Sequence, residues 1–318
     1  MSILRKKLDL KKVYEEFELN VETDALYQPN AKEFYQKAFA EINMDDLRLI
    51  PGVKGEEKIG NLSIGGTVSV LGEFDCGFPD PQTLDLDAKK IEVSKISTAL
   101  SICQSDLEES FARLEMTDGQ EGWKTASQFW AEVNNIVAKR VGEDLATAKW
   151  QGQSGVGLAT ITGLEDRITS SGDTTEVTFA DPTYTVANVE SAFEDLLVAL
   201  PDSIARSKNE LRFYVSPSVK NAIMISLGKN NTSFYLTQEL QPTYVGIKIV
   251  EEPGMSGDMI ALTRKDNIVV GVDALNDMNN IKVRDLDVIN EPVIRLRADF
   301  NFGTLILNDE EIFYTLAE

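Results

Sequence analysis

The sequence predicts an α+β fold, on three observations: a helical period that runs from about Gly122 to Lys149, a second amphipathic helix at Asn188–Leu200, and a strand-rich remainder that follows them. Helices and strands fall in separate blocks instead of alternating strictly, which argues against a doubly wound parallel sheet. With 318 residues, 42% of them hydrophobic and 26% charged, the chain is long enough to bury one or two cores and too apolar to remain disordered. No apolar run approaches the roughly 20 residues of a membrane span, and the N-terminal stretch lacks the apolar core of a signal peptide. The expectation is a soluble protein made in the cytoplasm, with no membrane partner.

Taken in order, Met1–Phe17 carries Leu4, Leu8, Leu10, Val13, Tyr14 and Phe17 at helical spacing, with Arg5, Lys6, Lys7, Lys11 and Lys12 between them. This basic cluster fits either a solvated helix face or an arm that touches DNA or an acidic protein. Ala31–Ile42 reads as a short helix. From Leu47 to Phe78 the pattern changes: Leu62, Ile64, Val68 and Val70 alternate with polar residues on either side of Gly65-Gly66, which predicts a hairpin. An isolated hairpin is marginal in water, so its apolar face needs a cover, supplied either by its own domain or by another subunit. Ile91–Leu100 is mixed, and Ser105–Leu114 reads as a helix.

The long helix presents Trp123, Phe129, Trp130, Val133, Ile136, Val137, Val141, Leu145 and Ala148 at a period near 3.6 and would be roughly 40 Å long. Gly142 inside it suggests close packing or a bend, and Gly152, Gly155 and Gly157 end it. Asn188 is the expected cap of the next helix, whose Val189, Phe193, Leu196, Leu197 and Leu200 face inward before Pro201 stops it. Strands are predicted at Leu211–Val215, Ile247–Val250, Met259–Thr263 and Asn267–Val272. In Ile281–Ile289 the alternation slips phase between Val283 and Leu286, as a bulge would cause. Val293–Phe302 is the cleanest strand, with Ile294, Leu296, Ala298, Phe300 and Phe302 alternating against Arg295, Arg297, Asp299 and Asn301.

Composition removes most familiar chemistry. Histidine is absent, and with it the commonest general base and metal ligand at neutral pH. The two cysteines, Cys76 and Cys103, make neither a disulfide framework nor a thiolate zinc site. A net charge of −21 disfavours sequence-specific nucleic-acid binding. Gly152-Gln-Ser-Gly-Val-Gly157 has the glycine spacing of a phosphate loop, but Leu158 and Ala159 stand where Lys and Ser or Thr are needed. Ser226-Leu-Gly-Lys229 matches Ser-x-x-Lys without its companion motifs. Asp85-Leu-Asp87 and Asp285-Leu-Asp287 each put two carboxylates on one strand face, without the further oxygens of a calcium loop. No catalytic, cofactor-binding or metal site is expected.

The order of elements, from N-terminal arm through hairpin, long helix and glycine stop to a helix-plus-strand region and a C-terminal return strand, resembles the major capsid proteins of tailed bacteriophages, with the Hong Kong 97-type fold. Particular stretches carry the likeness: Leu49-Ile-Pro-Gly-Val-Lys54, Glu143-Asp-Leu-Ala146 through Gly152, Tyr244-Val-Gly-Ile-Lys-Ile-Val250, and Gly254-Met-Ser-Gly-Asp-Met-Ile260 followed by Lys265-Asp-Asn-Ile-Val-Val-Gly271. The resemblance implies an arm over residues 1–46, an extended loop over 47–100, a peripheral domain with a spine helix over 101–183, an axial domain over 184–290, and a return to the peripheral domain over 291–318.

It further implies a non-enzymatic shell protein of the virion capsid, assembled in the host bacterial cytoplasm as hexamers and pentamers. Its partners would be copies of itself, a scaffolding protein, a portal, decoration proteins and non-specifically held double-stranded DNA. Inter-subunit contacts are expected at Lys54, Lys58, Leu62, Ile64, Val68, Val70, Phe74 and Phe78 of the loop and at Asn276 and Asp277. Some members lock their shells with a Lys–Asn isopeptide bond assisted by a Glu. Lys54 or Lys58 is the lysine such a bond would use, although no Asn or Glu matches the pattern. The segment before the loop is short for a fused scaffold, which points to a separate scaffold or a mature N terminus. The alternatives are an encapsulin-like nanocompartment and, in a different class, a small-molecule-binding domain.

Overall fold

The computed structural model describes residues 46–53, 55–64, 84–103, 127–152, 161–230, 242–273, 281–285 and 293–317. The expected helices at Met1–Phe17, Ala31–Ile42 and Ser105–Leu114, the phase slip at Leu286, Cys76, Gly155 and Gly157 lie outside them.

In chain order the elements are β1 (Arg48–Pro51), β2 (Glu56–Ile64), β3 (Leu84–Glu92), β4 (Ser94–Cys103), α1 (Ser127–Gln151), α2 (Leu164–Ser170), β5 (Thr175–Glu176), α3 (Val189–Ala199), α4 (Asp202–Ala205), β6 (Leu211–Val215), α5 (Pro217–Asn230), β7 (Thr243–Tyr244), β8 (Ile247–Glu251), β9 (Met259–Arg264), β10 (Ile268–Val272), β11 (Ile281–Asp285), β12 (Val293–Ile306) and β13 (Phe313–Leu316). The described residues form two compact units. The smaller comprises 97–103, 127–138, 281–285 and 293–299, and the larger comprises the rest.

In the smaller unit β11 pairs antiparallel with the first half of β12, with Lys282 opposite Arg297 and Arg284 opposite Arg295, and β4 pairs with β12 as well. Leu296 and Ala298 are buried while Arg295 and Arg297 are exposed, the alternation that the sequence predicts.

The larger unit is organised on a six-stranded mixed sheet in the order β5-β13-β9-β6-β8-β7. One face is covered by α3 and α5: Phe193, Leu196, Val219 and Ile223 pack on Leu211, Phe213, Val215, Ile249, Ile260 and Leu262. Phe193 and Phe213 stand 4.6 Å apart between ring centroids, within the range of favourable aromatic pairs. Three strands of this sheet, β6, β8 and β9, follow the predicted ones closely because each is short, β-branched or aromatic, and bounded by turn residues, whereas β5, β7 and β13 were not predicted. β13 is laddered to β9, with Phe313 opposite Leu262.

β10 joins a second ladder, antiparallel to the later half of β12 and parallel to β1. β12 thus runs to Ile306, four residues beyond the predicted Phe302, because Thr304 and Gly303 still pair although they break the apolar alternation. Asn188 precedes α3 but does not cap it. Its Oδ1 accepts from the Thr185 backbone N–H at 2.6 Å and its Nδ2 donates to Asp181 and to the Thr183 carbonyl, so the side chain closes the preceding loop instead.

The last turns of α1 lie against Tyr214 of β6 and the loop after β8. Trp150 and Tyr214 are 5.8 Å apart, and a Cβ on Gly254 would come within 1.9 Å of the Ala146 carbonyl, so only glycine admits the helix. Gly152 ends the helix at φ +58°, and its N–H donates to the Ala148 carbonyl at 3.0 Å. Beside this stop, Lys149 and Glu252 are fully buried, with Lys149 Nζ donating to Glu252 Oε2 at 2.5 Å and Trp150 Nε1 donating to the same oxygen at 2.9 Å. Burial pushes the Lys149 ammonium down and the Glu252 carboxyl up, and their mutual attraction opposes both shifts.

Removing one member of this pair strands a buried charge, so Lys149→Met alone should cost about 3–5 kcal/mol. Lys149→Met with Glu252→Leu should cost less than Lys149→Met alone, with the unpaired Trp150 N–H as the main residual loss. Urea unfolding of the four members of the cycle measures this. Strictly additive losses would mean that the two side chains are not coupled.

Candidate assembly surfaces

β2 and β3 form a separate antiparallel ribbon, from Glu56 opposite Glu92 to Ile64 opposite Leu84. Among the described residues β2 finds its partner in β3, and the Gly65-Gly66 turn and the Val68 and Val70 arm of the expected hairpin lie outside them. Strands of nine residues make this ribbon about 30 Å long.

The register sorts its residues onto two faces. One carries Glu57 with Ile91, Ile59 with Lys89, Asn61 with Asp87 and Ser63 with Asp85. At the root of this face Ile59 and Ile91 are buried in a cluster with Val53, Val269, Leu305 and Leu307, and Lys89 Nζ donates to Asp309 Oδ2 at 2.8 Å. The other face carries Glu56 with Glu92, Lys58 with Lys90, Gly60 with Ala88, Leu62 with Leu86 and Ile64 with Leu84. All six residues of its first three pairs are exposed. Like charges lie directly opposite one another there, and the diagonal ion pair from Lys90 to Glu56, at 3.4 Å, offsets part of that repulsion.

The root is held by a pair of glycines. Gly271 and Gly303 are direct partners across β10 and β12, on the sheet face that also carries Val269 and Leu305. A Cβ on Gly303 would fall 2.2 Å from the Glu92 carbonyl oxygen and 3.0 Å from Val93 Cα. One on Gly271 would fall 2.9 Å from Ile91 Cδ1. Side-chain-free backbone on both strands thus leaves a slot that receives the end of β3. Gly52 and Gly55, at φ +83° and +93°, turn the chain into the ribbon on the other strand.

A second anchor stands just before β1. Asp46 accepts from Arg212 Nε at 2.8 Å and from Lys248 Nζ at 2.5 Å, two side chains that are register partners on β6 and β8, and its backbone carbonyl accepts from Tyr214 Oη at 3.0 Å. Burial pushes the Asp46 carboxyl up, but the hydrogen bonds and positive charges of Arg212 and Lys248 outweigh it and hold the group below its usual range. The clamp is therefore fully formed at neutral pH and is lost only as pH falls through that depressed value.

Of the sequence-predicted contact residues, Lys58 is exposed on β2, and Leu62 and Ile64 take register positions on the same ribbon face. Lys54, Val68, Val70, Phe74, Phe78, Asn276 and Asp277 lie outside the described residues. The glycine slot and Asp46 were missed. An isolated glycine inside each of two strand patterns was the available signal for the slot. Ser226 of the Ser-x-x-Lys match donates to Glu190 Oε1 at 2.6 Å, a structural bond between α5 and α3. Among the described residues no group of three or more acidic or cysteine side chains could hold a metal ion, and no helix is long and apolar enough to cross a membrane.

No family model and no curated protein matches the sequence. Solved structures do match. A chain of the satellite phage P4 procapsid that includes the size determination (Sid) protein superposes with a TM-score of 0.57 at 10% identity, over 90% of this chain and 98% of that one. The capsid of an empty GTA particle gives 0.56 at 11% identity, over 91% of each. A virus-like particle from Pyrococcus furiosus gives 0.50 at 10% identity, over 89% of this chain and 97% of that one. The α+β architecture is thus the Hong Kong 97-type fold of shell proteins, present over almost the whole chain.

The slot makes a prediction. Gly303→Ala meets backbone and should cost about 1–3 kcal/mol, with faster tryptic cleavage after Lys89 and Lys90. Gly271→Ala meets side chains and no backbone, with Ile91 Cδ1 at 2.9 Å and Val93 Cγ1 at 3.1 Å, and should cost less than Gly303→Ala in both urea unfolding and cleavage. Equal effects of the two changes would remove the slot from the account.

Proposed function

We propose that this chain is a major capsid protein that self-assembles into hexamers and pentamers, forming the icosahedral or prolate head shell around phage DNA. The observation that carries the reading is a shell-protein fold that spans nearly the whole chain, so that little is left over for a separate catalytic module. A structural role agrees with the absence of histidine, and the charge of −21 suits a wall that does not trap like-charged contents.

In this reading residues 1–46 are an arm and residues 47–100 the extended loop, whose β2–β3 ribbon lies over a neighbouring subunit through Lys58, Leu62 and Ile64. Residues 101–183 form the peripheral domain with α1 as its spine, 184–290 the axial domain at the capsomer centre, and 291–318 the return segment. Asn276 and Asp277 meet neighbours around that centre. Lys54, Val68, Val70, Phe74 and Phe78 complete the loop contact. A scaffolding protein, a portal and decoration proteins are the further partners, and assembly takes place in the host bacterial cytoplasm. A second reading, a nanocompartment shell without a genome, draws support from the likeness to the Pyrococcus particle.

Many modest contacts to several neighbours give such a shell its strength. Subunits carrying −21 repel one another until ions screen them. Between about 0.01 and 0.15 M salt the screening length falls from roughly 30 to 8 Å, so the yield of particles should rise over that range. Negative-stain electron microscopy with light scattering of the purified chain tests this. Closed shells or capsomer rings are expected, whereas a monomer at every salt concentration, with a candidate scaffold added, would contradict the reading.

A further inference from the structure

The six-stranded sheet ends in a tight hairpin. β7 and β8 pair through Tyr244 opposite Ile247 and Thr243 opposite Lys248, which leaves Val245 and Gly246 as a two-residue turn. Both stand at positive φ, +50° and +85°, as the turn that matches the twist of a two-residue hairpin requires. Gly246 adopts that conformation freely. Val245 does not: among the described residues it is the one residue other than glycine at positive φ, and it is β-branched. In the left-handed region its Cβ crowds the following carbonyl oxygen, which costs about ten-fold in the folding equilibrium. Asparagine is the residue that ordinarily fills this position.

The turn cannot relax, because both sides of it are anchored. Tyr244 and Ile247 are buried in the core of the sheet domain, Tyr244 lies 5.4 Å from Phe193 between ring centroids, and the Ile249 N–H donates to the Pro242 carbonyl at 2.9 Å. A slip of one residue would turn Tyr244 and Ile247 out into water. Nor is the strain offset by burial, since Val245 is 56% exposed. Close by, Tyr244 Oη donates to Glu194 Oε1 at 3.4 Å, and Val198 follows Glu194 by one turn on the same face of α3. Val198 is 86% exposed. One edge of the sheet domain thus carries two bare valines, one of them held in a strained turn.

A side chain that is unfavourable within its own subunit, in conformation and in exposure alike, is explained by what it meets outside. Val245 carries no charge, donor or acceptor, so it recognises neither phosphate nor a cation. What fits it is an apolar recess on another protein surface. We infer that Val245, with Val198 beside it, is an apolar anchor of the contact between the sheet domains of neighbouring copies. The inference rests on the capsid reading, in which the surface brought to this edge belongs to a second copy, and it adds a named contact to the loop contacts already proposed. A tip whose conformation is fixed beforehand suits this role, because little ordering is left to oppose association.

The test separates strain from contact. In the unassembled full-length chain, Val245→Asn should raise the thermal unfolding temperature by about 2–4 °C, because the strain is relieved. The same variant should lower the yield of shells at 0.15 M salt by about ten-fold, because the anchor is lost. Val245→Ile, which keeps both the strain and the apolar tip, should assemble like wild type. Wild-type shell yield from Val245→Asn would overturn the contact. So would a fall in its unfolding temperature, since Val245 would then be covered within its own subunit. Absence of shells from the unmodified chain, by contrast, would count against the capsid reading itself.

Discussion

The seating of one strand end on two glycines is the contact on which the functional reading depends. A two-stranded ribbon has too little burial to hold its own direction in water, and this one is about 30 Å long. Its direction is fixed where Glu92 and Val93 lie against Gly303 and where Ile59 and Ile91 join Val269 and Leu305. On the opposite face of the ribbon the pairs Glu56 with Glu92, Lys58 with Lys90 and Gly60 with Ala88 are exposed. The ribbon is thus rigid in direction at its base and incomplete along its length, the combination that a subunit needs to reach a neighbour.

The six-stranded sheet plays the opposite part. It is covered by α3 and α5 on one face and met by the end of α1 on the other, and its inner strands β13, β9, β6 and β8 bury most of their side chains. The buried Lys149–Glu252 pair lies where the helix meets the sheet. Such a pair adds little net stability, but it penalises any arrangement that separates the two charges, so it fixes how the helix end docks. Asp46 does the same for the chain entering β1, by bridging two strands through their register partners Arg212 and Lys248. Local polar clamps thus position the segments that leave the core, while apolar burial holds the core itself.

Much of this was legible before any coordinates. Leu211–Val215, Ile247–Val250 and Met259–Thr263 are dense in β-branched and aromatic residues between turn signals, and α1 has a period that no strand could satisfy. What was not legible is long-range. The pairing of β2 with β3 joins strands separated by a long segment, and the ladder is set by its length and the packing of its root, which no local turn signal encodes. Asn188 has the residue type of a cap, but Thr185 and Asp181 compete for its amide. The partnership of Gly271 with Gly303 depends on a register between strands more than twenty residues apart, which no local pattern encodes.

A capsid reading therefore rests on a division of labour within one chain: a self-sufficient sheet domain and a projecting ribbon that another copy completes. Hydrogen exchange, followed by mass spectrometry on the chain before and after assembly, tests that division most directly. The account predicts that amides of Leu211–Val215 and Met259–Arg264 are protected in both states, while those of Asn61–Ile64 and Leu84–Asp87 exchange quickly in the free chain and become protected in particles. Equal protection of the outer ribbon in the free, monomeric chain would contradict it, because the ribbon would then be complete without a neighbour.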